Sequence, residues 1–350
     1  MTTVTKRAFW FDDNKRPNVA DILEREPSIA VDRLKFHSPD AENWPAIERA
    51  HAYCISSARD EVPDQYKCSA AFLARCPELL VVSTTGAGYD TIDLGACSAA
   101  GVLAVNQAGA NADAVAEHAV AMMLSLSKNI PQTDRSLRRE RGVNREVFKG
   151  WNAQGRTVGI LGLGQVGRRV ARICSKGLQM RVIACDPYLS AEECAARDAT
   201  KVDFDSLIAA SRYLTIHCPL TDETRGIVGR SELAKMQAGG YLINTARGGI
   251  VDESALADAL TSKHLAGAGI DAWDIEPPPL QHPLLAMDNV IATYHTAGVT
   301  VDSRHNMANW NAEQIVQILA GERPPRLLNA GAWPLYARRF EKIFGFKPAS

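Results

Sequence analysis

An α/β fold of two domains, each built on a doubly wound parallel sheet, is what this sequence predicts. Short apolar runs alternate with helical patterns from one end to the other, the order that yields parallel sheets with helices on both faces. The length of 350 residues exceeds the roughly 250 to 300 that one hydrophobic core organises. A glycine-rich turn near the middle joins a buried strand to a helix, which is how such sheets present a nucleotide site.

In the first third, 8–11, 52–55, 79–82 and 102–105 read as strands. Helices fit between them: 41–50 sets Ala46, Ile47 and Ala50 at helical spacing, and 70–75 is stopped by Pro77. A second series, 157–161, 181–185, 213–216, 241–244, 268–270 and 290–292, gives six strands separated by helical patterns. Between the two series, 113–141 reads as an almost continuous helix that Pro131 should kink or divide. A second long amphipathic stretch, 302–319, ends at Gly321 and the Pro324-Pro325 turn. Trp333, Tyr336, Phe340 and Phe344 then stack on one face of a final docking helix, with Arg338, Arg339 and Lys342 on its solvated side.

Composition excludes several classes of function. Hydrophobic residues make up 46% and charged residues 23%, which fits a packed domain rather than a disordered or fibrous chain. Lys plus Arg number 39 against 40 Asp plus Glu, so no basic field gathers nucleic acid. No apolar run reaches the roughly 18 to 20 residues of a membrane span. The N-terminus lacks the apolar core of a secretory signal, so a cytoplasmic location is expected. The eight cysteines form no CxxC pair and no zinc spacing; buried reduced thiols and no metal are expected.

The nucleotide signal is Gly162-Leu163-Gly164-Gln165-Val166-Gly167, directly after the strand 157–161 and opening the helical pattern 166–176. Glycines permit the tight turn and close backbone approach, and the helix N-terminus offers amides to a pyrophosphate. Asp186 falls 19 residues after Gly167, at the end of the next strand. A carboxylate there accepts from both adenosine ribose hydroxyls and repels a 2′-phosphate, which favours NAD over NADP. His217-Cys218-Pro219 follows the strand 213–216 and would line the adenine side, although His217 alone reads equally as a strand-end core histidine.

Ligands of such sheets bind at the carboxyl ends of the strands, and three later strands each deliver an ionisable group there. Thr245-Ala246-Arg247 follows 241–244, Asp271 with Glu276-Pro277 follows 268–270, and His295 with Gly298 follows 290–292. An arginine clamps a carboxylate and polarises the neighbouring carbonyl, and a histidine paired with a glutamate exchanges a proton near neutral pH. The combination suits reduction of a 2-oxo acid. His118, in an apolar helix face, and His282, in a proline-rich loop, read as packing and surface residues.

These motifs, together with Gly86-Ala87-Gly88-Tyr89-Asp90, Ile92-Asp93, Asn111 and Val115-Ala116-Glu117-His118, resemble the D-isomer-specific 2-hydroxyacid dehydrogenases over most of the chain. The resemblance implies a flavodoxin-like substrate domain made from 1–108 and 300–350, and a Rossmann-like NAD-binding domain over 109–299. It implies Arg247 as the substrate-binding arginine, His295 as the acid/base, and Glu276 as the carboxylate that orients His295 and raises its pKa. The amides around Gly86, Ala87 and Gly88 would cradle the substrate carboxylate. Asp271 and the Thr245-Ala246 backbone would position the carboxamide, and Val115 and Gly298 would line the cofactor. Homodimerisation through the NAD-binding domains is also implied.

The sequence departs from the family pattern in informative places. Tyr294 stands where proline usually precedes the histidine, which frees the backbone and adds a phenol near His295. Trp273 stands where phenylalanine is common. Ser56-Ser57-Ala58-Arg59 replaces an Arg-Ser-x-Thr pattern, which argues against phosphoglycerate unless Arg59 substitutes. Glu276 argues against the formate dehydrogenase branch, which has glutamine there. With only a few residues given after the docking helix, no appended regulatory domain is expected. The resemblance reaches C-terminal-binding transcriptional corepressors with the same triad, so an NAD(H)-sensing regulator competes with an enzyme, as does the same site acting on an unusual substrate.

Overall fold

Strands form where apolar side chains alternate onto both faces and helices exist to cover both, as parallel sheets require. The computed structural model describes residues 4–12 and 18–349. The chain divides into two units, residues 1–111 with 299–350, and residues 112–298.

In the first unit, β1 (Lys6–Phe11), β2 (Ile29–Leu34), β3 (Ala52–Ile55), β4 (Val81–Thr84) and β5 (Leu103–Val105) form one parallel sheet in the order β2-β1-β3-β4-β5. Strand β2 was not expected. It lies at the sheet edge, where Asp32 and Arg33 interrupt the apolar run and only Ile29 is fully buried. Phe9, Phe11, Tyr53, Ile55 and Val82 pack on one face. On the other, Trp10, Cys54, Val81 and Leu103 meet Ile315, Ile318 and Leu319 of helix Val301–Leu319, and Tyr336 and Phe340 of helix Trp333–Phe344. The basic side of this last helix is not wholly solvated. Arg338 is exposed, but Arg339 donates to the carbonyls of Ala100 (2.5 Å) and Pro77 (2.7 Å), anchoring the helix.

The second unit carries β6 (Thr157–Leu161), β7 (Arg181–Cys185), β8 (Thr200–Lys201), β9 (Tyr213–Ile216), β10 (Gly240–Asn244), β11 (Leu265–Ile270) and β12 (Val290–Ala292), in the order β12-β11-β10-β9-β6-β7-β8. The seventh strand is β8, two exposed residues at the edge, too short to leave an apolar run. Strand order reverses between β6 and β9, which creates a crevice at their carboxyl ends. Leu161, Ile216, Leu242 and Ile270 face one core, and Ile160, Tyr213 and Ile243 face the other, with Ala116, Ala119, Met122 and Met123 of helix Ala112–Ser127.

The long helical stretch is divided at Asn129 rather than at Pro131. Asn129 takes a left-handed conformation (φ 52°), and Pro131 sits in the first turn of the next helix, Ile130–Arg139, where its missing N–H costs nothing. That second helix buries no residue. No helix among the described residues is long and apolar enough to cross a membrane. All eight cysteines are free thiols, and burial pushes those of Cys76 and Cys174 up to about 12.

Candidate active site

Register alone gathers the site. Leu161 pairs with Cys185 and Ile216, Asn244 with Ile216 and Ile270, and Ile270 with Ala292. The next residue on each strand therefore falls in one row at the carboxyl edge: Gly162, Asp186, His217, Thr245, Asp271 and Thr293.

At the reversal between β6 and β9, Gly162 adopts φ +89°, and a Cβ there would lie 2.8 Å from the Cys218 amide nitrogen. A Cβ on Gly167 would fall 2.1 Å from the Gly162 carbonyl oxygen, so only glycine lets the helix start this close to the strand. Gly164 is the opposite case, since a Cβ there meets nothing within 4 Å. Gln165 and Val166 complete the turn, and Val166 caps helix Gly167–Arg172 without a side-chain bond, while the amides of Arg168 and Arg169 donate to the carbonyls of Gly164 (3.2 Å) and Val166 (2.9 Å). Asp186 accepts from the amides of Leu163 (2.9 Å) and Tyr188 (3.0 Å), which ties the carboxylate to the glycine turn.

His217 and Cys218 reach the same edge. His217 bonds Thr215 Oγ1 through Nε2 (2.9 Å), and burial pulls its imidazole down to about 3, so it is neutral. Burial pushes the Cys218 thiol up to about 11. Thr245 is 6% exposed, and its Oγ1 meets no partner. An orphaned buried hydroxyl beside an open glycine turn fits a polar ligand along this edge. Val115 is buried on helix Ala112–Ser127, and Gly298 closes the unit.

Arg247 is set by Asn244, whose amide donates to the Arg247 carbonyl (2.9 Å) and whose oxygen accepts from the Ala246 N–H (3.1 Å), folding 245–247 into a tight turn. The Arg247 guanidinium donates to Ala246 O (2.7 Å). Glu276 lies 2.9 and 3.0 Å from His295 Nδ1 through its two oxygens, while His295 Nε2 meets no partner among the described residues. Hydrogen bonding to Glu276 raises the His295 pKa against the opposing effect of burial and of the Arg247 charge. Burial works to raise the Glu276 carboxyl, but its bond and attraction to His295, the Trp273 amide and Arg247 hold it below its ordinary value. The pair thus favours imidazolium facing carboxylate.

His295 has φ 50°, a left-handed conformation uncommon outside glycine. Asp271 holds it there. This residue is fully buried; Oδ1 accepts from Thr293 Oγ1 (2.5 Å) and Thr296 N (2.8 Å), Oδ2 accepts from Ala297 N (2.9 Å), and its carbonyl accepts from His295 N (2.8 Å). Its carboxylate is enclosed and bound to the loop that carries His295. Trp273 braces both partners, its indole N–H donating to Thr293 O (2.9 Å) and its amide to Glu276 Oε1 (3.0 Å).

Two histidines read as packing or surface residues make specific contacts. His118 Nε2 lies 3.3 Å from Thr293 Oγ1, and His282 Nε2 lies 3.0 Å from Glu253, both side chains of that pair being largely buried. Thr293, Trp273 and Asn244 were missed as site builders; the signal available was that each sits at, or within a few residues of, a strand's carboxyl end. In the first unit, the carbonyls of Gly86 and Ala87 accept from Gln107 N, Thr84 Oγ1 and Asn106 Nδ2, whereas the amides of Gly86, Ala87 and Gly88 meet no acceptor among the described residues. The Arg59 side chain lies outside the described residues.

Residues 120–297 match the profile of the D-isomer specific 2-hydroxyacid dehydrogenase, NAD binding domain. The chain belongs to that family. A glyoxylate reductase from Thermofilum pendens is 34% identical over 79% of this chain and 82% of its own length. D-3-phosphoglycerate dehydrogenases from Archaeoglobus fulgidus (40% identical, 74% of this chain) and Mycobacterium bovis (39%, 82% of this chain) also match, and this chain spans only 49% and 52% of their lengths. Among solved structures, a Thermus thermophilus protein superposes with a TM-score of 0.80 at 27% identity, covering 92% of this chain and 99% of the other. The NAD complex of an NAD-dependent formate dehydrogenase from Staphylococcus aureus does so with 0.73 at 25%, covering 91% and 96%. The two parallel sheets described above are thus those of the 2-hydroxyacid dehydrogenase family, and the second unit is its NAD-binding domain.

Proposed function

We propose that this chain is an NAD-dependent dehydrogenase that interconverts a small 2-oxo acid and its D-2-hydroxy acid. The observation that carries the reading is the His295–Glu276 pair with an uncommitted Nε2, within electrostatic range of Arg247 and in the same row of strand ends as the glycine turn. NAD(H), when bound, supplies or accepts the hydride. The turn at Gly162, Gly164, Gln165, Val166 and Gly167 would hold its pyrophosphate, Asp186 the adenosine ribose, and Val115, His217, Cys218, Pro219 and Gly298 its flanks. The unpaired Thr245 Oγ1, with Ala246 beside it, suits a carboxamide. Asp186 disfavours NADP, because a 2′-phosphate would face a carboxylate.

In the reducing direction Arg247 clamps the substrate carboxylate, and the amides of Gly86, Ala87 and Gly88, which meet no acceptor among the described residues, suit an anion. His295 Nε2 donates its proton to the developing alkoxide, and Glu276 stabilises the imidazolium beforehand. In the oxidising direction neutral His295 takes the hydroxyl proton. The test is NADH oxidation against glyoxylate, hydroxypyruvate, pyruvate, phenylpyruvate and phosphohydroxypyruvate, repeated with NADPH. Turnover with NADH that disappears in His295→Ala, and a severely raised KM or lost turnover in Arg247→Ala, is expected. NADH binding without any turnover would replace the enzyme with a nucleotide-sensing regulator.

We also propose a homodimer through the second unit. Helix Ile130–Arg139 buries nothing, and Ile130, Leu137, Val147 and Trp151 are exposed along residues 130–151. A second copy supplies the apolar partner this segment lacks. Light scattering should give twice the chain mass, reduced to the monomer by Leu137→Asp with Val147→Asp.

A further inference from the structure

The turn that carries Arg247 is held at both ends, and by different means. At its entry Asn244 bonds the Ala246 amide and the Arg247 carbonyl. At its exit Gly248 and Gly249 press against the loop after β11, which carries Glu276. A Cβ on Gly248 would fall 2.0 Å from the Trp273 carbonyl oxygen and 2.5 Å from the Asp274 amide nitrogen, so only glycine lets the two backbones approach this closely. Gly249 adopts φ +78°, donates its amide to Asp274 Oδ1 (2.5 Å) and accepts from the Gly226 amide through its carbonyl (2.7 Å). It is gripped at both polar groups.

Asp274 is in turn held from behind. Its amide donates to Glu253 Oε1 (2.9 Å), on the first residue of helix Glu253–Thr261, and Glu253 Oε2 meets His282 Nε2 (3.0 Å) in the largely buried pair described above. Asp274 itself is exposed. A surface carboxylate bonded to one amide adds little to stability, because water serves both groups nearly as well. What the bond does is join two loops, one carrying Arg247 and the other Glu276. Arg247 acts on Glu276 electrostatically, so a slip of one loop against the other changes a working distance.

The geometry points to Asp274 as a positioning residue for Arg247, an inference that rests on the dehydrogenase reading. Its carboxylate clasps Gly249, two residues beyond Arg247, and so fixes where the guanidinium meets a substrate carboxylate. Asp274 acts through the backbone and needs no contact with the substrate. Arg247 grips that carboxylate in the ground state and in the transition state alike, so a slack turn weakens binding and spares the chemical step.

The experiment compares Asp274→Ala and Asp274→Asn with the unchanged chain in NADH-dependent reduction of the best 2-oxo acid of the panel above. Alanine removes the acceptor, whereas asparagine keeps an acceptor oxygen and removes only the charge; at an exposed position neither takes packing away. In Asp274→Ala the KM should rise about tenfold with kcat within about twofold, and Asp274→Asn should return KM to within about threefold of the unchanged value. A merely structural residue would lower the melting temperature without that split. An unaltered KM in Asp274→Ala, a loss that falls on kcat instead, or an asparagine variant as impaired as the alanine one overturns the proposal. Were no 2-oxo acid reduced by the unchanged chain, the dehydrogenase reading would fail by that result alone, and calorimetric binding of oxalate in the presence of NADH would judge the clasp. A Kd raised about tenfold in Asp274→Ala and kept in Asp274→Asn upholds it; equal affinity in all three chains, or no binding, overturns it.

Discussion

The second unit holds two histidine–glutamate pairs at nearly the same distance, His295 Nδ1–Glu276 at 2.9 Å and His282 Nε2–Glu253 at 3.0 Å. Side-chain exposure is 39% and 33% in the first and 16% and 13% in the second. In the second pair every polar atom turns inward: Glu253 Oε1 accepts from the Asp274 amide (2.9 Å), His282 Nδ1 accepts from the Leu284 amide (3.4 Å), and the ring packs edge-on against Trp273. Burial raises the Glu253 carboxyl, whereas Glu276 is lowered by the groups around it. In the first pair one ring nitrogen remains uncommitted. Pairing does not make a histidine a proton donor; an unspent nitrogen does.

The comparison breaks most visibly under truncation. His295→Ala should lower kcat by about 10²–10⁴-fold, the usual worth of a general acid, with the fold intact by circular dichroism. Glu276→Gln comes next, at about tenfold in kcat, with a change in pH profile that sharpens the contrast. Because Glu276 raises the His295 pKa, reduction should be supported below that raised value and lost as pH rises through it. Without the carboxylate the falling limb of kcat/KM moves to lower pH, and an unmoved limb would show that Glu276 does not tune His295. His282→Ala should leave kcat within about threefold and act instead on thermal stability, since removing one partner of a buried pair costs up to about 3 kcal/mol; a loss of turnover rivalling that of His295→Ala would erase the distinction. The smallest effect is expected from Trp273→Phe, which deletes one hydrogen bond of about 1 kcal/mol to Thr293 and should cost a few-fold in kcat with KM unchanged in steady-state assays.

Much of the fold was legible because buried parallel strands leave near-continuous apolar runs, as at β3, β6 and β9. Two edge strands do not: β2 carries Asp32 and Arg33, and β8 is two exposed residues. The break after Ser127 was misplaced because proline announces itself in sequence, while the left-handed Asn129 that ends the helix does so only weakly. In the site, sequence spacing brought forward the residues with chemistry on their tips, Arg247, Glu276 and His295. It could not reveal what holds them, because Asp271, Trp273 and Thr293 act through contacts that depend on register between β11 and β12.

Asp271 also sets how freely this stretch of chain can drift in sequence. Asparagine would keep one acceptor oxygen and turn an N–H₂ toward one of the three donors, and glutamate would force an extra methylene into a site with no exposed surface. Neither neighbour in chemistry is therefore a neighbour in tolerance. Tyr294, 80% exposed and one residue before the histidine, lies at the other extreme: the position beside the reactive group is open to variation, while the one buried beneath it is closed.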